Sequence, residues 1–277
     1  MLPSALRART QFTAIGPAGV PALIAHPDGN SCVPACIWMH GRTVYKELDS
    51  GRYLRWIRAG FAAIALDLPG HGDRFDASFQ HGHRTPEMIA QMVRELDEVV
   101  EALADGPLAS LIDLDRLAIG GMSAGGMCAL AALCQPTHPY CCATVEATTG
   151  NLNELYRGPP DASQQLSPWP IAHDAAKVAA IDPMLHLAGF RPLPLLAMHS
   201  EADAIVPIAG QRRFMIALQQ HYVGAGADPA LVTFRTWPTT GAPQEHNGFG
   251  QVATQAKTEQ VAFLSAHLRP VPPSTDF

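Results

Sequence analysis

Short, nearly continuous apolar runs recur along the chain, with helical patterns between them. Runs rich in β-formers occupy 20–27 (VPALIAHP), 33–40 (VPACIWMH), 61–68 (FAAIALDL), 115–122 (DRLAIGGM), 141–147 (CCATVEA), 193–200 (LPLLAMHS) and 231–237 (LVTFRTW). From the second onward most lack an alternating polar face, the pattern of strands buried on both sides of a parallel sheet. The run at 20–27, with TQFTAIG before it, reads as an antiparallel start. The clearest helix is RTPEMIAQMVRELDEVVEALAD, where Met88, Ile89, Met92, Val93, Leu96, Val99, Val100 and Leu103 fall on one face at three- and four-residue spacing. Thr85 is the expected cap, Pro86 suits the first helical position, and Glu87 favours the positive end of the dipole. Further helices are expected at 45–59, 124–135 (amphipathic), 207–222 and 251–268. Alternating β and α units with right-handed crossovers give an α/β class fold, a doubly wound sheet with helices on both faces.

Residues 148–190 break this alternation. The segment is far longer than an ordinary connection and carries Pro159, Pro160, Pro168, Pro170 and Pro183, with a short helical pattern near 172–180. It is expected to be a lid insertion over a site within a single domain spanning 1–277; the alternative is a structural excursion over a sheet edge.

Composition narrows the classes of partner. The 277 residues are 47% hydrophobic and 16% charged, with a formal net charge of -6. No clustered Lys and Arg offers a phosphate-binding surface, which argues against nucleic acid and favours small molecules. No apolar run has the length of a signal peptide or a membrane span, so a soluble cytoplasmic protein is expected. Most of the six cysteines (Cys32, Cys36, Cys128, Cys134, Cys141, Cys142) lie inside apolar elements, as reduced, buried thiols do. Cys32 and Cys36 are four apart, but no second ligand pair follows at zinc spacing.

The chemistry is concentrated in LAIGGMSAGGMCALA, residues 117–131. Gly121-Met122-Ser123-Ala124-Gly125 matches G-x-S-x-G, in which small neighbours allow a strained strand-to-helix turn that exposes the serine hydroxyl. The pentapeptide alone is a weak signal; an apolar strand before it and a helix after it supply the context. A serine hydroxyl needs a base to take its proton and an acid to orient that base, and on this scaffold the chain order is Ser, Asp or Glu, then His. HSEADAIVPIAG after strand 193–200 offers Glu201 and Asp203. PTTGAPQEHNGFG after strand 231–237 offers His246. Two backbone N–H groups are also needed for the oxyanion. Ala124, next to the serine, is one; Arg42, in WMHGRTVYK after strand 33–40, is the other, through its main chain, with Gly41 allowing close approach.

Together MHGRT, LDLPGHGDRF, IGGMSAGG, HSEADAIVP and QEHNGF make the chain resemble the α/β-hydrolase superfamily over nearly its whole length. Within it the chain is similar to small bacterial carboxylesterases related to dienelactone hydrolases and to the prolyl-oligopeptidase catalytic domain. The resemblance implies a mostly parallel sheet of about eight strands. It also implies that the acid stands four residues before the Val-Pro proline, which selects Asp203 ahead of Pro207 over Glu201. Dienelactone hydrolases proper use a cysteine nucleophile; Ser123 shifts the expectation to ordinary esters. At this length there is no room for the propeller that gives oligopeptidases their peptide selectivity.

The resulting expectation is a short-chain serine carboxylesterase that needs no cofactor or metal and acts on a small-molecule ester, with a homodimer left open. His40 is expected to shape the oxyanion loop. His71, His81 and His83 fall on a glycine-bent loop at the site mouth rather than on a metal. Tyr45, Trp169 and Trp237 are candidate acyl-pocket residues. Thioester or aminoacyl and peptide hydrolysis by the same three residues is the enzymatic alternative. A non-catalytic small-ligand-binding protein on the same fold is the alternative of another class.

Overall fold

The computed structural model describes residues 2–157 and 173–268. Eight strands form one sheet: β1 (Thr10–Ile15), β2 (Val20–Ala25), β3 (Val33–Met39), β4 (Ala62–Leu66), β5 (Ile112–Met122), β6 (Tyr140–Glu146), β7 (Leu195–Ser200) and β8 (Val232–Trp237). Their order is β1-β2-β4-β3-β5-β6-β7-β8. The β1–β2 and β2–β4 pairings are antiparallel, and every pairing from β4 to β8 is parallel. This is the expected antiparallel start to a parallel sheet.

The apolar runs are continuous because the sheet is covered on both faces. Along β3, Ala35, Ile37 and Met39 join one core and Cys36 and Trp38 the other. The first core is closed by α3 (Thr85–Asp105), α4 (Ala124–Ala132) and α7 (Ile208–Gly224); the second by α1 (Ser4–Arg7), α2 (Ser50–Arg58) and α8 (Ala253–Leu268). The stripe on α3 is buried as its spacing requires: Met88, Ile89, Met92, Leu96, Val99 and Leu103 are at most 1% exposed. No helix among the described residues is long and apolar enough to cross a membrane.

Three local expectations are corrected. Thr85 does not cap α3: it is the first helical residue, and its hydroxyl donates to Gly82 O at 2.7 Å. The helix after the elbow is not amphipathic, since every residue of α4 is buried. It lies between the sheet and α3, and a helix enclosed on all sides has no polar face. The helix expected from residue 45 starts at Ser50, because the preceding residues are committed elsewhere: Lys46 turns inward to Asp67, and Asp49 accepts from the Trp38 indole at 2.8 Å.

The described ends of the 148–190 insertion are tied to the core. Its helix α5 (Leu152–Arg157) receives Asp182, whose carboxylate accepts from the Leu152 and Asn153 N–H groups at 3.0 and 2.9 Å. Gly150 N–H donates to the Gln211 side chain of α7, and α6 (Ala175–Ala179) is capped by Asp174.

Candidate active site

The chain reaches Ser123 from β5 and leaves it into α4, and the reversal forces the serine to φ 53°, ψ -120°. L-residues seldom adopt positive φ, and such strain persists only where the surroundings over-determine it. They do so here. Ser123 N–H donates to Glu146 O at 2.9 Å, and Thr148 Oγ1 donates to Ser123 O at 2.7 Å. A Cβ on Gly121 would collide with the Gly125 main chain, and one on Gly125 with the Met39 and His40 carbonyls. The outer glycines are required as well, which the sequence alone does not reveal: at 120 a side chain would strike Thr144 O, and at 126 the Thr148 side chain.

Ser123 Oγ lies 3.0 Å from His246 Nε2, and His246 Nδ1 lies 2.8 Å from Asp203 Oδ2. Asp203 Oδ1 accepts from the Ile205 and Val206 N–H groups, both at 2.8 Å, so its carboxylate is fixed from two sides. Asp203 and His246 are 6% and 5% exposed, whereas Ser123 remains half-buried and reachable. Glu201 is elsewhere: it accepts from Thr236 Oγ1 and pairs with Arg212 on the surface. The loops holding acid and base are joined, since Ala204 N–H donates to Gln244 O at 3.1 Å. Glu245 adds a clasp by accepting from Ser200 Oγ, Thr240 N–H and Gly241 N–H. These hydrogen bonds, that of Thr240 first, hold its carboxyl down at about 2.

Behind Asp203 stands a residue that no sequence pattern singles out. His199 is 1% exposed, with Nε2 2.8 Å from Val206 O and 3.4 Å from Asp203 Oδ2. Its Nε2–H therefore donates to the carbonyl and faces the carboxylate. Burial pushes its pKa down, against the opposing pull of Asp203, which keeps it neutral and hence a fixed donor.

The loop after β3 packs on Ser123. A Cβ at Gly41 would sit in ordinary contact with Ser123 Cβ, at 3.5 Å, which sets the Gly41–Arg42 backbone beside the hydroxyl. His40 shapes this loop: its Nε2 accepts from Leu68 N–H at 3.1 Å, so Nδ1 carries the proton and donates to Gly41 O at 2.6 Å. Lys46, 1% exposed, closes the loop by donating to Asp67 at 2.8 Å and Asp73 at 2.6 Å. Burial alone would raise the Asp67 pKa, but hydrogen bonds from Lys46 Nζ and from the Lys46 and Asp73 main-chain N–H groups hold it far below the usual carboxylate range.

The pocket candidates fare differently. Trp237 is 7% exposed and packs on Phe249 at 5.1 Å within a core cluster with Leu196, Met198 and Ala256. It belongs to the core on the α8 side and not to an acyl pocket. Tyr45 points largely to solvent, 52% exposed, and Trp169 lies outside the described residues. Tyr156 of α5 is closer to the chemistry: its hydroxyl is 3.6 Å from Met127 Sδ, one turn beyond Ser123. The His81 and His83 rings stack at 5.7 Å, while His71 is buried against His40. No group of three or more potential metal ligands occurs among the described residues.

Two curated relatives resemble the chain. It is 29% identical over 212 residues to Esterase YjfP of Escherichia coli, covering 73% of this chain and 82% of that one. It is 25% identical over 222 residues to Putative esterase YitV of Bacillus subtilis, covering 74% and 82%. Among solved structures, TT1662 from Thermus thermophilus superposes with a TM-score of 0.69 at 19% identity, over 94% of this chain and 98% of that one. The model of the prolyl oligopeptidase family matches residues 50–261, more than half of the chain. With its α/β-hydrolase sheet and its elbow at Ser123, this chain belongs to the prolyl oligopeptidase family.

Proposed function

We propose that the protein is a serine hydrolase that cleaves small carboxylic esters through an acyl-enzyme. The observation that carries this is the unbroken line Ser123 Oγ, His246, Asp203 at 3.0 and 2.8 Å. The names of the two relatives, both esterases, support it. Asp203 holds the imidazole with its proton on Nδ1, which leaves the Nε2 lone pair facing the serine hydroxyl. His246 takes that proton as Oγ attacks the ester carbonyl. The carbonyl oxygen then gathers negative charge between the N–H groups of Ala124, at the positive end of α4, and of Arg42. Collapse of the tetrahedral intermediate expels the alcohol, which leaves with the proton from His246. Water, deprotonated by the same imidazole, then releases the acid and restores Ser123.

The reaction is assigned to the cytoplasm on the strength of six free cysteines, among which Cys36 and Cys128 are buried thiols. Helix α5 is read as one wall of the acyl pocket, because its Tyr156 adjoins the first turn of α4; residues 158–172 of the expected lid lie outside the described residues.

The test is to label Ser123 with a fluorophosphonate and to follow p-nitrophenyl acetate. The parent protein is expected to be labelled stoichiometrically. Ser123→Ala is expected to lose labelling and to fall on the order of 10⁴-fold or more in turnover. Unchanged turnover in Ser123→Ala would overturn the assignment, and acyl-CoA thioesters or aminoacyl amides turned over faster than acetyl esters would move it to the sister reactions of the same residues.

A further inference from the structure

In the proposed reaction Arg42 acts through its main chain alone; its side chain has no part in the proton relay, and its surroundings are unusual for a cation. It departs from the residue after Gly41, whose contact with Ser123 sets the start of the side chain beside the nucleophile. The guanidinium is half-buried, and among the described residues its Nη2 donates only to main-chain carbonyls, 2.6 Å to Gln80 O and 3.4 Å to Phe79 O. Its Nε–H is enclosed and has no hydrogen-bond partner among the described residues. Among the described residues no carboxylate pairs with it, because the acids of the surrounding loops are already engaged. Asp67 and Asp73 bind Lys46, Glu87 binds Arg84 and Lys177, and Glu95 binds Arg74.

A second group points the same way. His71, 1% exposed, donates from Nδ1 to Pro69 O at 2.9 Å, which leaves an enclosed Nε2 lone pair with no partner among the described residues. Its ring lies 5.7 Å from that of His40, against the oxyanion loop. Burial keeps His71 neutral, and the nearby charge of Arg42 adds to that effect. An uncompensated cation and an unfilled imidazole nitrogen are costly to enclose unless a ligand completes them. A carboxylate does so: it returns the Coulomb energy of the guanidinium, accepts from Arg42 Nε, and draws a proton onto His71 Nε2 to make a second charge-assisted hydrogen bond.

We propose that Arg42 and His71 form an anion subsite beside Ser123 that selects esters carrying a carboxylate. The inference rests on Ser123 being the nucleophile and names the substrate class that this nucleophile serves.

The experiment compares charged and capped esters on the full chain by proton release. Methyl hydrogen succinate against dimethyl succinate places the charge on the acyl side. 4-Carboxyphenyl acetate against its methyl-capped counterpart, 4-(methoxycarbonyl)phenyl acetate, places it on the alcohol side. The expected result is a kcat/KM at least tenfold higher for the charged member of one pair, which identifies the side, with that ratio falling at least tenfold in Arg42→Gln. Free succinate at pH 7.5 is expected to compete with substrate in the parent protein and to lose at least tenfold in that competition in Arg42→Gln; equal competition in both overturns the subsite. A ratio at or below one in both pairs, or a ratio unchanged in Arg42→Gln, overturns the subsite while leaving Ser123 as nucleophile. Absence of hydrolysis of all four esters together with absence of fluorophosphonate labelling overturns the nucleophile itself, and the subsite with it.

Discussion

Arg52 grips Glu146 with two parallel hydrogen bonds of 2.6 Å, one from Nη1 and one from Nη2, in a pocket where the two residues are 3% and 2% exposed. Gln260 of α8 joins both partners, and the guanidinium stacks on Trp38 at 4.1 Å. The main-chain oxygen of the same Glu146 accepts the Ser123 N–H, so a buried ion pair on one face of the sheet anchors the strained turn at its edge. Removing one partner strands the other charge in the core, which costs about 3–5 kcal/mol. Arg52→Met and Glu146→Leu are each expected to destabilise by that amount in urea unfolding, and the double variant is expected to recover most of the loss. Equal, additive losses in the double variant would show that the pair does not act as a unit.

Asp203 and Glu201 stand two residues apart in the same loop, yet only one faces the imidazole. Asp203→Asn preserves shape but lets the imidazole settle in the wrong tautomer, and a fall in kcat of about 10⁴-fold is expected. Glu201→Gln touches only the surface contacts with Thr236 and Arg212, and activity within about threefold of the parent is expected. Steady-state kinetics of the two variants on one ester decide between them, and the reverse ranking would dismiss the acid assigned here.

What the chain order reveals, and what it hides, follows from the range of each interaction. Continuous apolar strands, the stripe on α3 and the succession of Ser123, an acid at 201 or 203, and His246 are local patterns legible in the sequence, whereas the choice of Asp203 over Glu201 comes from the family resemblance. His199, Tyr156 and the Arg52–Glu146 pair are not legible there, because each acquires its meaning from a partner distant in sequence or hidden by a loop. The same limit explains Trp237. It is a pocket candidate as an aromatic residue, but whether a strand residue faces site or core depends on which sheet face its register presents. Thr85 failed as a cap for a local reason: the turn Gly82–Arg84 feeds directly into α3 and makes it a helical residue.

The glycines of the elbow give a steric test independent of chemistry. A methyl at 125 meets the carbonyls of Met39 and His40, which are rigid main chain at the end of β3 and cannot rotate aside. Gly125→Ala is expected to lower stability by about 1–3 kcal/mol, the usual cost of overpacking. It is also expected to slow fluorophosphonate labelling of Ser123, because the turn must open. Gly224→Ala, where no neighbour lies within 4 Å of the added carbon, serves as control and is expected to leave both measurements unaltered. Normal labelling and stability in Gly125→Ala would remove the steric account of the motif.

Several histidines are held neutral by the fold, and this fixes the sign of its response to acid. Burial depresses the pKa of His71 and His199 below the ordinary 6.5, and burial followed by repulsion from Arg191 takes His138 down to about 4. In the unfolded chain these rings take up protons near pH 6.5, while the folded chain refuses them until lower pH. Between those values the unfolded state binds more protons, so stability rises with pH there and is lost as pH falls. Each such proton contributes a slope of about 1.4 kcal/mol per pH unit. Urea unfolding is therefore expected to show constant stability above about pH 7 and a decline from about pH 6.5 towards pH 4. That decline begins before carboxylates such as Glu245, held at about 2, enter their own range. His138→Gln, remote from Ser123, is expected to make the decline shallower without altering labelling. Stability that stays flat from pH 7 to pH 5 would mean that these rings are protonated in the native state, which the Nε2 contact of His199 with Val206 and the Pro69 contact of His71 would then have to accommodate as charged donors.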